Sequence, residues 1–333
     1  MTNEIEETKY FYELTPEKIL SAVEETGIRC TGRILTLNSM ENRVYEVEVD
    51  VDEERIQSVS EKFRVAKFYR PGRWTKEQIL EEHKFLHDLS EQDIPVIAPV
   101  KFENGETLNK SDQLDIYFSV FPKCGGRIPE EFNDEQLEII GRLLARLHNV
   151  GASKEAPNRM KLTPQTYGIK NLEFLLNEKI VPAQYVDGYV QVVEEICRAS
   201  SQEFERLEYI RIHGDCHLAN ILWGKDGPFL VDFDDMLCGP PVQDIWLLLP
   251  GRDEEAKRQL EVLLYAYESM RNFDRRSLDL IETLRALRMI HFSAWIGKRW
   301  QDPAFKRAFP DYGTERYWQE QLSSLREQLS YND

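Results

Sequence analysis

Long apolar runs, paired cysteines and an excess of basic charge are all missing from this 333-residue chain. No hydrophobic stretch approaches the roughly 18–20 residues of a membrane-spanning helix, and 245–249 reads as a short core segment. The amino-terminal MTNEIEETKYFYEL is acidic and has no apolar stretch ahead of a small-residue cleavage site, so no signal peptide is expected. The five cysteines (Cys30, Cys124, Cys197, Cys216, Cys238) are widely spaced with no Cys-x-x-Cys, which argues against a disulfide framework and for a reduced, cytoplasmic protein. Forty-two basic against 59 acidic residues leave a formal charge of −17. That field repels nucleic acid and anionic membranes, and neither is expected as a partner. What is present is globular: 41 % hydrophobic and 11 % aromatic residues, in a length that allows about two domains.

Strand signals dominate ahead of residue 125. Residues 33–37 and 44–49 flank a short turn, and Tyr45, Val47 and Val49 alternate with Glu46 and Glu48 as in a half-buried strand. A third strand is expected at 62–69 after the charged turn 52–55, with two more at 97–102 and 115–121. Thr75 and Gln78 form a capping box that opens a helix with an apolar period from Ile79 to Leu89. Pro122-Lys123-Cys124-Gly125-Gly126 then breaks the pattern. Beyond it Leu137, Ile140, Leu144 and Leu147 stripe one helix, and further helices are expected at 173–178, 186–206, 254–270, 277–300 and 315–329. Only 209–233 interrupts them, with two short apolar runs around a polar loop and a Lys225-Asp226-Gly227 turn. The fold class expected is α+β, with a small β-rich lobe (1–124) and a larger α-rich lobe (125–333).

The most informative stretch is Ile212-His213-Gly214-Asp215-Cys216-His217-Leu218-Ala219-Asn220-Ile221-Leu222. Asp215 and Asn220 stand five apart in a loop between apolar segments, and Asp232 follows the run Phe229-Leu230-Val231. Phosphoryl transfer needs such a set: a carboxylate at the attacking hydroxyl, plus an amide oxygen and a second carboxylate holding magnesium. Magnesium takes hard oxygen ligands, which Asn220 and Asp232 supply. The spacing matches the Asp-x-x-x-x-Asn of kinase catalytic loops, followed by a metal-binding Asp at a strand end. Two plainer readings compete. His213, Cys216 and His217 are transition-metal ligand types, but no fourth ligand stands at a recognisable spacing. Asp215 and Asn220 are also ordinary turn residues. His213 is expected to pack beneath the loop rather than move protons.

A kinase also needs a cation on the phosphates and an acid to position it. Lys67 lies inside the third expected strand on the same face as Val65, which is placed to cover an adenine. In the following helix Ile79, Glu82, Leu86 and Leu89 share one face, so Glu82 is an acid embedded in the apolar stripe, where an unpaired charge is costly. Glu82 is therefore preferred over Glu81 as the partner of Lys67, and the competing reading makes Lys67 a strand-edge charge. The phosphate loop is expected between the first two strands, in Leu37-Asn38-Ser39-Met40-Glu41-Asn42-Arg43, which holds no glycine. Its backbone N–H groups, the Ser39 hydroxyl and the amides of Asn38 and Asn42 can still cradle phosphates, against the alternative of a plain polar turn.

The residues at 213–222 and Val-Asp-Phe-Asp at 231–234 resemble the aminoglycoside phosphotransferase and choline kinase superfamily. Five blocks narrow the likeness to the bacterial stress response kinase A family: LNSMENRVYEV (37–47), VAKFYRPGRWTKEQILEEHKF (65–85), RIHGDCHLANILW (211–223), GPPVQDIWLLL (239–249) and WQDPAF (300–305). The resemblance implies a two-lobed protein-kinase-like fold and a cytoplasmic Ser/Thr protein kinase that uses ATP and Mg2+. It implies Asp215 as the proton acceptor, Asp232 as a second catalytic group, and Asn220 and Asp232 as magnesium ligands, and it implicates Ser39 beside Lys67 and Glu82 in the nucleotide site. The family also lacks a Gly-rich loop. Protein substrates and a monomer are the expected partnership; a small-molecule kinase for a cationic alcohol is the alternative, which the −17 charge fits. Gln243-Asp244-Ile245-Trp246 resembles the Asp-x-Trp that supports a kinase catalytic loop, while Asp244 reads equally as a helix N-terminal acid.

Overall fold

The structure is a computed structural model that describes residues 11, 14–52, 54 and 56–331. Most of the acidic amino-terminal segment and two positions of the 52–55 turn lie outside the described residues. The polypeptide divides into two compact units, 1–131 with 218–234, and 132–217 with 235–333. The expected boundary at 124/125 precedes the first of these breaks, and the stretch carrying Asn220 and Asp232 groups with the first unit. The reason is hydrogen bonding: Trp223 and Arg127 exchange backbone bonds of 2.8 and 3.1 Å, and Leu230 bridges Val96.

In the first unit, α1 (Pro16–Glu24) starts at a Thr15 cap and is followed by β1 (Cys30–Leu37), β2 (Arg43–Val49) and β3 (Phe63–Phe68). Helix α2 (Lys76–Ser90) opens with the expected Thr75/Gln78 box. Strands β4 (Asn109–Lys110) and β5 (Tyr117–Pro122) complete an antiparallel sheet in the order β1-β2-β3-β5-β4. Tyr45, Val47 and Val49 are all buried, as their alternation requires. They join Phe68 and Phe118, stacked at 5.2 Å, and Ile19 and Val23 of α1 in one core. The strand expected at 97–102 does not form. Pro99 cannot donate to a ladder, and Val100 to Val120, at 2.8 Å, is the bond that ties the segment to β5. The short β4 takes the edge position instead. Strands β7 (Ile221–Gly224) and β8 (Gly227–Leu230) pair through the expected turn, where Gly227 adopts φ +122°.

The second unit is helical. It comprises α3 (Asp134–Ala152), α4 (Lys170–Asn177), α5 (Ala183–Phe204), α6 (Val242–Leu248), α7 (Glu254–Glu268), α8 (Ile281–Lys298), α9 (Pro303–Ala308) and α10 (Glu315–Ser330). Two short strands, β6 (Ile210–Ile212) and β9 (Leu237–Gly239), pair antiparallel among them. Leu137, Ile140, Leu144 and Leu147 are fully buried along α3. That helix approaches α7 so closely that a Cβ on Gly141 would lie 2.3 Å from the Leu263 carbonyl oxygen.

Candidate active site

Each unit carries part of the expected residue set. In the first, Lys67 sits in β3 between Val44 on β2 and Ser119 on β5, and is 8 % exposed. Its ammonium is ion-paired to Asp234 and lies 3.8 Å from both Glu82 and Asp232. Of Glu81 and Glu82, it is Glu82, 1 % exposed on α2, that faces Lys67, as its place in the apolar stripe required, although the closest acid is Asp234. Burial alone lowers the pKa of the lysine. Asp234 first, then Glu82, outweigh that and hold its pKa well above the ordinary value.

Asp234 was not singled out from sequence. The visible signal is the repeat Asp232-Phe233-Asp234, an acid at each end of an aromatic residue. Phe233 is buried edge-on against Phe85 of α2, with centroids 5.9 Å apart, so one anchor positions both carboxylates next to the helix bearing Glu82. The Asn42 amide donates to Asp234 and its oxygen accepts from the Arg70 N–H at 3.1 Å. Arg70 in turn pairs with Glu41 at 3.1 Å, and Arg73 lies 3.6 Å from Asp234. The glycine-free β1–β2 connection is therefore tied to the Lys67 cluster through Asn42. Ser39 is half-buried three residues upstream.

The pairing of β7 with β8 places Ile221 opposite Leu230, and the Val231 N–H donates to the Asn220 carbonyl at 3.0 Å. Asn220 and Asp232 thereby leave adjacent backbone segments. Asp232 holds φ +61°, uncommon for a non-glycine residue and found mostly where neighbours over-determine it, and its side chain is 59 % exposed. An amide oxygen and an accessible carboxylate on tied segments are hard donors that fit a divalent cation such as magnesium.

In the second unit, Gly214 takes φ +85° after β6, and a Cβ there would meet the Asp235 carbonyl oxygen at 2.3 Å. Asp244, at the start of α6, accepts the N–H groups of His213 and Gly214, both at 2.8 Å, and lies 3.2 Å from His148 Nε2. Gln243 donates to the Gly214 carbonyl at 3.1 Å. Of its two readings, Asp244 therefore has the loop-supporting one. His213 is fully buried, with Nδ1 3.4 Å from the Asp215 N–H, a packing role as expected. Cys216 is fully buried, and burial, reinforced by Asp244 and Asp215, pushes its thiol far up, so it offers no thiolate to a metal.

Both oxygens of Asp215 have cationic or polar neighbours: Arg288 Nη1 at 2.7 Å from Oδ1 and His217 Nε2 at 3.4 Å from Oδ2. Burial raises the pKa of this carboxyl, but the His217 hydrogen bond and the Arg288 guanidinium hold it well below the usual carboxylate range. Arg288 was not foreseen from sequence; nothing local links it to a residue 73 positions away.

Comparison with known proteins gives the family and the fold. The model of the phosphotransferase enzyme family matches residues 34–281. Stress response kinase A of Escherichia coli (strain K12) is 41 % identical over 319 residues, 96 % of this chain and 93 % of that protein. The serine/threonine protein kinase RdoA of Salmonella typhimurium (strain LT2) is 39 % identical over 320 residues, with the same two coverages. Among solved structures, amicoumacin kinase hAmiN, in complex with AMP-PNP, Ca2+ and Ami, superposes with TM-score 0.68 at 20 % identity, covering 92 % of this chain and 91 % of its own. That likeness shows the fold, a two-lobed kinase-like α+β architecture.

Proposed function

Since this chain belongs to the phosphotransferase enzyme family, we propose that it is an ATP- and Mg2+-dependent kinase that phosphorylates Ser and Thr hydroxyls of proteins in a stress response. The observation that carries the protein acceptor is the 39 % identity, over 96 % of the chain, to a relative named as a serine/threonine protein kinase.

In this reading Asp215 orients the acceptor hydroxyl and takes its proton as the oxygen bonds to the γ-phosphorus, the bond to the β–γ bridging oxygen breaks and ADP leaves. The depressed pKa of Asp215 keeps it ionised and able to orient the hydroxyl, and Asp244 holds the loop that aims it. Lys67, kept charged by Asp234 and Glu82, binds phosphate oxygens. Asn220 and Asp232 would hold magnesium, which supplies positive charge to the phosphates. Ser39, with the backbone of 38–43, covers the phosphates, and Val65 covers the base. The proposal includes a cytoplasmic, monomeric enzyme, as the resemblance to the stress response kinase A family implies. No helix among the described residues is long and apolar enough to cross a membrane.

The second reading, a kinase for a cationic alcohol, draws on the −17 charge. The two separate when purified protein is given labelled ATP and magnesium together with a Ser/Thr protein, or with choline, homoserine or an aminoglycoside. Label in phosphoserine or phosphothreonine, with no ATP consumed by the alcohols, is the expected result. Saturable phosphorylation of one alcohol with no protein labelling would overturn the protein-kinase reading.

A further inference from the structure

The negative charge is unevenly spread. Between Thr283 and Gln301 there is no Asp or Glu, whereas Arg285, Arg288, Lys298 and Arg299 are all basic. Most of this stretch is α8. Arg288, Phe292, Trp295 and Arg299 recur at i, i+4, i+7 and i+11, so they share one helix face, with Arg299 as its C-cap. All four are at least partly exposed, Phe292 to 42 %, while the opposite face (Leu287, Ile290, Ala294) is buried. The aromatic pair is braced: Phe292 and Trp295 stack at 5.5 Å, and Trp295 meets Phe305 at 4.9 Å.

This face begins at Asp215, through the 2.7 Å ion pair to Arg288. Any acceptor hydroxyl that reaches Asp215 comes beside that guanidinium. A cationic acceptor would set like charges together there, whereas a carboxylate finds a fork whose five N–H donors are not exhausted by one partner. Phe292 and Trp295 add a rigid shelf of the kind that receives a polypeptide. The net −17 does not decide the matter, because solvent screens charges more than about 8 Å away and leaves local cations in control.

We propose that this face of α8, led by Arg288, is the docking surface for the acceptor, and that it selects polypeptides whose Ser or Thr is flanked by acidic residues. The inference rests on the protein-kinase reading and narrows its substrate class. Arg288 is then a specificity-determining residue, and the aromatic pair supports the peptide backbone.

The test offers full-length protein three Ser peptides of equal length, flanked by Glu, Gln or Lys, with ATP and magnesium, and compares kcat/KM. Wild type is expected to favour the Glu-flanked over the Lys-flanked peptide by at least about tenfold, with the gap narrowing as salt rises. Arg288→Glu should reverse the order, and Phe292→Ala should raise KM for all three peptides. An unbiased or Lys-favouring wild type overturns the inference, as does an Arg288→Glu variant that keeps the original order. Because the ratio is taken within one preparation, a weakly active variant still reports. Should Arg288→Glu not fold, Arg299→Glu on the same face must reduce the preference, and an unchanged preference counts against the inference. Failure of the underlying reading looks different: none of the peptides is phosphorylated while choline or an aminoglycoside consumes ATP.

Discussion

Lys67 Nζ and Glu82 Oε1 lie 3.8 Å apart, both buried, one on a sheet strand and the other on the helix that follows it. The pair shares its cluster with Asp234, so the lysine is a positioned cation rather than a strand-edge charge. Lys67→Ala and Glu82→Ala should each abolish most turnover, and the double variant should lose little more than either. A coupling energy of about 1–3 kcal/mol in a double-mutant cycle is expected. Glu81→Ala, at a half-exposed neighbour, should stay near wild type. Additive losses at Lys67 and Glu82 would contradict the shared role.

Asp244 accepts two backbone N–H groups of the loop bearing Asp215 and is itself fully buried. Removing it orphans both donors and leaves His148 without that neighbour. Asp244→Ala should therefore lower unfolding stability by about 3 kcal/mol and cut activity in parallel. Urea titration checks the first effect; a variant as stable as wild type would mean that the loop does not depend on this carboxylate.

The Asp215 carboxyl has its pKa depressed, against burial, by His217 and Arg288. A depressed carboxyl is charged throughout neutral pH, and the stability it contributes is complete above its unfolded value near 3.9. That contribution is lost only as pH falls through the lower folded value. No acidic limb of kcat/KM between about pH 5 and 7 should then belong to Asp215. Arg288→Gln removes one group that holds the pKa down while burial persists, so the limb due to Asp215 should move upward. An acid limb identical in both proteins would place the titration elsewhere.

How much of this was legible in the sequence differs by residue. Asp215, Asn220 and Asp232 stand in one short segment with diagnostic spacing, and Glu82 could be chosen over Glu81 because helical geometry puts only one of them in the apolar stripe. Asp234 carries no such local signal, because its partners Asn42, in the β1–β2 connection, and Lys67, in β3, lie far upstream, a tertiary pairing that no local pattern encodes. The same holds for Arg288. At 97–102 the apolar run reads as a strand, but Pro99 within it removes a ladder donor and no strand forms.

If Asn220 and Asp232 hold magnesium as proposed, Asn220→Ala and Asp232→Ala should weaken ATP binding only when magnesium is present. Titrating ATP at fixed and varied magnesium reads this directly. Unchanged affinity in both variants would put the metal site elsewhere.

Under the proposed function, Lys67, Asn220 and Asp232 bind the nucleotide and Asp215 serves the acceptor. Asp215→Asn, assayed for both Mg-ATP affinity and phosphoryl transfer to a Ser peptide, tests that division in one preparation. Affinity within about twofold of wild type, with transfer reduced about 10²–10⁴-fold, is the predicted outcome. Transfer at the wild-type rate, or a loss of transfer fully matched by a loss of nucleotide affinity, would contradict it.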